Sequence, residues 1–351
     1  MKKIIIVSLL LANSVYAAGL RNNLKRYTIL RDHTLINKRL THKLYEQYFD
    51  VDLQISSGVK DLVSDVKNKA NQSGATQTQK ELSILEILNK NMNSERYVDL
   101  DATIGIPFPS FDLYRYRLTP SLFYNMNMGT LFTIYNQSSS VDPSVSVYIK
   151  KESKIGASTI ITKSGHIDTH IKFNLYKFDR ADQDITKTKT ELAQSSKIFN
   201  FKDLDQSNET LSFDFIWKRE SEKRLWKAEV LEAKIFTLKD KADYSYDNFP
   251  LFHFFHQWKS KGEKFWLEPY AGAHMRKRYS FFDGIYVGTW LKFRDLPFRS
   301  SLSLNSQFIT FIPEFRMNHF YFNYKMRAAY NNPHDDIWAS TIHSFNLGLH
   351  F

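Results

Sequence analysis

Within the alternating stretches the chain sets basic residues two positions apart at Arg115 and Arg117, His170 and Lys172, Lys292 and Arg294, and Lys325 and Arg327. On an extended strand that spacing puts both members of a pair on one face. Strands brought together around a channel would then line it with positive charge, which selects narrow-pore solutes by sign and favours anions. Asp168, Asp214 and Glu268 are the acidic residues expected on the same face. A second outcome stands beside the first: these groups pair with one another or with another segment and fill a closed interior.

Nucleophilic catalysis is the competing chemistry. It needs a serine hydrogen-bonded to a histidine that a third group orients. His343 and Ser344 are adjacent, so on a strand they point to opposite faces. A triad gathered from separate strands stays open, and no catalytic residue is assigned. Asn331-Asn332-Pro333-His334-Asp335-Asp336 carries oxygen and nitrogen donors of the kind that hold a cation. Asn, Pro and Asp are equally what a turn requires, and the turn is the expectation, with no metal and no cofactor. The Asp and Lys mixture at 178–191 reads as a solvated loop. No phosphate-cradling glycine loop, zinc spacing or nucleic-acid module is found.

The elements that would position these groups follow from periodicity. From about Arg21 to Ser94 the spacing is largely helical: Leu40, Leu44 and Tyr48; Val59, Leu62, Val63 and Val66; Leu85, Leu88 and Met92. Asn71 to Gln77 has loop composition. Phe49, Val51, Leu53 and Ile55 alternate with polar residues and suit a short strand. After Tyr97 the period becomes 2, most cleanly where Ile167, Thr169, Ile171, Phe173 and Leu175 alternate with His166, Asp168, His170, Lys172 and Asn174. Thirteen such runs are counted, with 178–196 and 239–248 as polar separators. Many are ten residues or longer, which suits the roughly 9 to 11 residues of a bilayer-crossing strand better than the mode of about 5 to 6 in soluble sheets. Aromatics such as Tyr114, Tyr124, Trp266, Trp290, Phe315 and Tyr330 stand near run ends, as at membrane interfaces.

The termini fit this pattern. Lys2 and Lys3, an apolar run from Ile4 to Leu11 and small residues near Ala17 and Ala18 read as a secretory signal peptide over 1–18. The absence of cysteine removes both a disulfide framework and a lipid-accepting residue. With 48 Lys+Arg against 37 Asp+Glu, the exported chain suits anionic partners, lipid and lipopolysaccharide among them. No later apolar run is long enough for a membrane helix, which leaves a closed barrel as the way to satisfy backbone groups in lipid. The chain then stops on alternating Phe345, Leu347, Leu349 and Phe351.

The signal peptide, the strand ladder and this aromatic end together resemble a Gram-negative outer-membrane β-barrel protein, over roughly residues 97 to 351. The resemblance implies that Phe345, Leu347, Leu349 and Phe351 form the signal read by the barrel assembly machinery. It implies an all-β transmembrane antiparallel barrel of 12–14 strands. Such barrels have even strand numbers, so either Phe49 to Ile55 adds a fourteenth or two runs merge. The helical segment at 19–96 before a barrel is similar to FadL-type transporters, whose amino-terminal region plugs the lumen, although their Asn-Pro-Ala motif is missing here. The outer-membrane phospholipase family places a His and a Ser two apart on one strand, and none of the eleven histidines has that spacing. Surface proteases use paired acids and a His, as at His334, Asp335 and Asp336. The expected function is a porin-like channel or transporter for small solutes, anionic or amphipathic, in the outer membrane; the alternatives are a surface anchor or adhesin and a membrane-embedded hydrolase.

Overall fold

The computed structural model describes residues 23–41, 47–136, 142–163, 166–201, 204, 207–240, 249–277, 279–331 and 337–350. The segment 1–18 read as a signal peptide, residues 332–336 of the Asn331 to Asp336 cluster, Phe351 and the side chain of Asp168 lie outside them.

The chain enters as helix α1 (Asn23–Thr41), passes to strand β1 (Gln47–Ser56), then to helices α2 (Val59–Ala70) and α3 (Gln77–Lys90). Strands follow: β2 (Ser94–Pro107), β3 (Phe111–Leu113), β4 (Tyr116–Asn136), β5 (Pro143–Lys163) and β6 (His166–Lys187). Helix α4 (Lys189–Ser195) leads to β7 (Asn208–Glu220), β8 (Arg224–Lys239), β9 (Leu251–Trp258), β10 (Phe265–Met275), β11 (Ile285–Phe293), β12 (Phe298–Asn305), β13 (Phe308–Arg316), β14 (Phe320–Ala329), β15 (Trp338–Ala339) and β16 (Ile342–His350). Each main strand pairs antiparallel with its neighbours, β16 pairs with β1, and β2 skips β3 to pair with β4. The sheet therefore closes into a 14-strand barrel, to which β3 and β15 are short additions. Closure leaves no unpaired edge, which is the condition for a sheet to sit in lipid.

The barrel is apolar outside and polar inside. In β16, Phe345, Leu347 and Leu349 are 47%, 39% and 41% exposed, whereas Ser344 and Asn346 are 1% and 0% exposed. A water-soluble barrel would show the reverse. Strand β1 repeats the pattern, with Phe49 and Leu53 exposed and Asp50, Asp52 and Gln54 buried.

The two rims differ. At the rim where β16 ends, connections are short: 164–165, 221–223, 259–264, 294–297 and 317–319. The opposite rim carries the long ones, including 57–93 with α2 and α3, and 188–207 with α4. There β4 and β5 project beyond their neighbours, and their outward Phe132, Ile134, Val145, Val147 and Ile149 are covered by Val59, Leu62, Val66, Ile84, Leu88 and Leu192 from the three helices. Burying each such side chain contributes roughly 1.5–3 kcal/mol. Helices α3 and α4 start on full capping boxes, at Thr76 with Gln79 and at Thr188 with Glu191. Hydrogen bonds from Thr188 hold the Glu191 carboxyl below its usual range.

Several expectations change. The barrel begins at Gln47, so 19–96 is not one helical segment: α1 is separate, β1 is a wall strand, and α2 and α3 belong to a rim connection. Helix α1 ends at Thr41 and Tyr48 belongs to β1, because the alternation from Phe49 overrides the i, i+4 spacing upstream of it. The runs at 114–124 and 129–137 are one strand, as are those at 144–151 and 154–162, whereas 299–312 is divided between β12 and β13. Residues 178–187 are strand rather than loop, their charges turned inward at Arg180 and Asp182. Strand β9, which falls in none of the thirteen runs, has buried Leu251, His253 and Phe255 alternating with exposed Phe252 and Phe254. Its inner face carries Leu251 and Phe255, so hydropathy shows no clear period.

Candidate functional site

Helix α1 mixes polar side chains with Leu24, Ile29, Leu30 and Ile36 and shows no single apolar face, and all but a few of its described side chains are buried. Its partners explain this, because the surface around it is the polar inner wall of the barrel. At about 1.5 Å per residue, its 19 residues span roughly 28 Å, close to the hydrocarbon thickness of a bilayer. Its first turn lies near the long-connection rim, where Asn23 Nδ2 donates to Ser146 Oγ at 2.7 Å and Thr133 Oγ1 donates to Asn23 Oδ1 at 3.1 Å. Its last turn approaches the short-turn half, where Lys227 Nζ donates to the Arg39 carbonyl at 3.0 Å.

Charge pairing holds the helix along its length. Arg26 pairs with Glu95 of β2 at 2.8 Å, Arg31 with Glu152 of β5 at 2.6 Å, and Arg31 with Glu232 of β8 at 2.5 Å. Asp32 receives Arg276 at 2.9 Å, and Arg276 also reaches Glu232 at 2.8 Å. Lys38 pairs with Asp50 and, at 2.6 Å, with Asp101. Glu232 is placed by a β-bulge: its φ is +59°, the β7–β8 register shifts near it, and its N–H donates to Asp214 Oδ1 at 2.8 Å. A bulge re-aims a side chain that regular alternation would put elsewhere. Aromatic packing supplements the charges, with the Tyr27 ring 5.0 Å from Tyr148 and 5.8 Å from Tyr97. Gly129 leaves the room Tyr27 needs, since a Cβ there would strike the Tyr27 hydroxyl and Asp99.

On the short-turn side of α1 a cavity of about 180 Å³ remains between the helix and β2, β4, β5, β6, β7 and β8. That volume is roughly six water molecules' worth of liquid. The buried Asn127 Oδ1, Ser158 Oγ and Asn174 Oδ1 on its wall have no protein partner, so they are open to water or a polar solute. Six basic and five acidic side chains line it, and pairs such as Arg39 with Glu229 at 3.4 Å leave little net charge.

The basic pairs read from sequence separate. Lys172 lines the cavity, Lys325 pairs with Asp52 at 2.8 Å, and Arg327 donates to Thr34 Oγ1 at 3.2 Å and to Gln54. His170 meets Thr162 at 3.0 Å, and Lys292 pairs with Glu268 at 2.5 Å near the short-turn rim. Arg115, Arg117 and Arg294 are exposed at that rim and line no lumen. Spacing fixes the face of a strand but not the height along the barrel. The larger group of charges, on α1, was missed because polar and apolar residues spread around the whole helix give no amphipathic signal. Asn331 donates to the Ser306 carbonyl at 3.5 Å, and no group of three metal-ligating side chains occurs among the described residues.

No family model matches the chain, and no curated protein matches it. Among solved structures it is similar to CdiB from Acinetobacter baumannii, with 10% identity and a TM-score of 0.36, over 87% of this chain and 60% of that one. The chain thus spans about three fifths of CdiB. It is also similar to the transport unit of the autotransporter AIDA-I from Escherichia coli (8% identity, TM-score 0.31, 98% and 96% covered) and to a mutant Rh. blastica porin (6%, 0.32, 87% and 99%). All three are outer-membrane β-barrels.

Proposed function

We propose that the chain is an outer-membrane conduit for small solutes, held shut by α1. The observation that carries this reading is a helix that fills the lumen without being part of the wall: among the described residues, every hydrogen bond from α1 to the barrel uses at least one side chain. Such contacts can be exchanged for water, whereas a paired strand cannot leave without opening the sheet. The cavity beneath the helix is the waiting half of the path. Its compensated charges support weak ion selectivity rather than the strong anion preference that the basic pairs suggested.

Short turns on one rim and long connections on the other are the asymmetry of bacterial outer-membrane barrels, in which the long connections face outward. On that basis α2, α3 and α4 form a platform at the cell surface, with lipopolysaccharide around it. Export by a cleaved signal peptide, and assembly through Phe345, Leu347, Leu349 and Phe351 by the barrel assembly machinery, complete the reading.

Planar-bilayer conductance tests it. A variant lacking residues 23–41 should show stable steps where the parent is silent, and a variant lacking 59–90 should stay silent. Equal conductance with and without α1 refutes the plug.

A further inference from the structure

On the outward wall of the barrel, side chains from β14, β16 and the turn that follows β1 form a hydrogen-bonded relay. Ser57 Oγ lies 3.1 Å from His343 Nε2, and His343 Nδ1 lies 2.5 Å from the Tyr324 hydroxyl. The His343 and Tyr324 rings stack at 6.0 Å and 22°. In β16 the outward positions run Leu349, Leu347, Phe345, His343 towards the long-connection rim, and in β14 Phe322 precedes Tyr324. The three polar residues therefore stand at the edge of the apolar belt, where a bilayer changes from acyl chain to head group. They take no part in the lumen contacts or the cavity.

The backbone at Ser57 is held in an unusual way. Its N–H donates to the Thr341 carbonyl at 2.8 Å, and its own carbonyl accepts from Arg96 Nη1 at 2.6 Å. Gly58 follows with φ +72°, a left-handed turn that glycine supplies without strain, and α2 starts at the next residue. Ser57 thus sits on a sharp strand-to-helix turn. The 12-residue helix has no side-chain cap on its first N–H groups, which leaves donors and the positive end of the helix dipole next to the serine in the chain.

We propose that Ser57, His343 and Tyr324 form an acyl-ester hydrolase site facing the membrane, with the ester of a bilayer phospholipid as substrate. A serine within hydrogen-bond reach of a histidine that a third group orients is the constellation for nucleophilic acyl transfer. Tyr324 is the positioning residue: its oxygen accepts the Nδ1 proton and leaves Nε2 free as the base. The Ser57 oxygen attacks the ester carbonyl carbon as its proton passes to His343 Nε2. The oxyanion is stabilised by the N–H groups at the start of α2, on which no capping side chain sits. Collapse breaks the ester C–O bond, and the departing alcohol takes the proton from His343. Water then attacks the acyl-Ser57 ester, giving its proton to His343, and Ser57 is released with a fatty acid. The sum is ester plus water to acid plus alcohol. The location selects the substrate, since an acyl chain can lie along Phe345 and Leu53 with its ester at the height of Ser57.

The test uses the full exported chain refolded in detergent, with dilauroyl phosphatidylcholine mixed micelles as substrate and an alkyl fluorophosphonate as covalent probe. Fatty acid should be released, the probe should map to Ser57, and Ser57→Ala should reduce release by at least about 10³-fold while the barrel stays heat-modifiable. Tyr324→Phe should lower kcat by roughly tenfold or more and leave KM unchanged, whereas a folding defect would only reduce the fraction of active protein. No release and no labelling of the wild-type protein would overturn the proposal, as would release that Ser57→Ala leaves intact. Should Ser57→Ala fail to fold, probe mapping on the wild-type chain still decides.

Discussion

Arg31 Nη2 lies 2.5 Å from Glu232 Oε1, joining the middle of the lumen helix to a bulge in the eighth strand. Both groups are buried, and Glu152 and Arg276 complete the network. Taking one member out of a buried set leaves a charge without its partner, which costs about 3–5 kcal/mol.

Arg31→Met should therefore lower stability by about that amount, read as a shift in the urea midpoint of unfolding in detergent. Arg31→Met with Glu232→Gln should recover part of the loss, because the second change removes the stranded carboxylate. An unshifted midpoint in the single variant would mean the network is hydrated and weakly coupled.

The chain has no cysteine, so a tether can be introduced cleanly. Thr34 Oγ1 on α1 and Gln54 Oε1 on β1 are 3.0 Å apart. A Thr34→Cys, Gln54→Cys variant bridged by a short bis-maleimide should suppress whatever openings the untreated variant shows in a bilayer. Openings that persist after complete bridging would place the conducting path away from the helix.

Gly129→Ala should strike the Tyr27 hydroxyl and Asp99. The expected cost is about 1–3 kcal/mol, the usual range for overpacking. Adding Tyr27→Phe should relieve only part of it, because Asp99 Oδ2 at 2.7 Å and the ring carbon Cε2 at 2.8 Å remain in the way, which thermal unfolding of the two variants will measure.

Leu347 is exposed on the lipid face. Leu347→Arg should lose about 2–4 kcal/mol if the position lies near the bilayer midplane, measured by folding into vesicles of dilauroyl phosphatidylcholine. The adjacent lumen position allows a contrast, since Asn346 is buried against Asp50. Asn346→Leu should be harmful there although it is more apolar, and equal tolerance of both changes would contradict the inside-out assignment.

Thr188→Ala removes the cap of α4 and should cost about 0.5–2 kcal/mol of local stability, seen as faster amide exchange over 189–195. Glu191 shares that box, and its carboxyl is held low by Thr188. The stabilisation is present above the unfolded carboxylate range and fades as pH falls through the folded value. Protection over 189–195, taken relative to the intrinsic exchange rate at each pH, should fall at acid pH in the parent and depend less on pH in Thr188→Ala.

The sequence by itself determined the barrel. A period of 2 sustained after Tyr97, with one apolar face per run, is the pattern of barrel strands, and Phe49 to Ile55 already carried the same signal. Parity also assigns each strand charge its face, except at Glu232, which the bulge between β7 and β8 turns inward. Tertiary structure decided the rest. Height along the barrel separates Arg327 at the helix from Arg117 at the rim, and no local pattern encodes height. The role of α1 depends on a surround that exists only once fourteen strands have closed, so its mixed surface reveals no partner until then. Ser57, Tyr324 and His343 are brought together by the pairing of β16 with both β1 and β14. That contact joins residues 286 positions apart, and only the closing strand could make it.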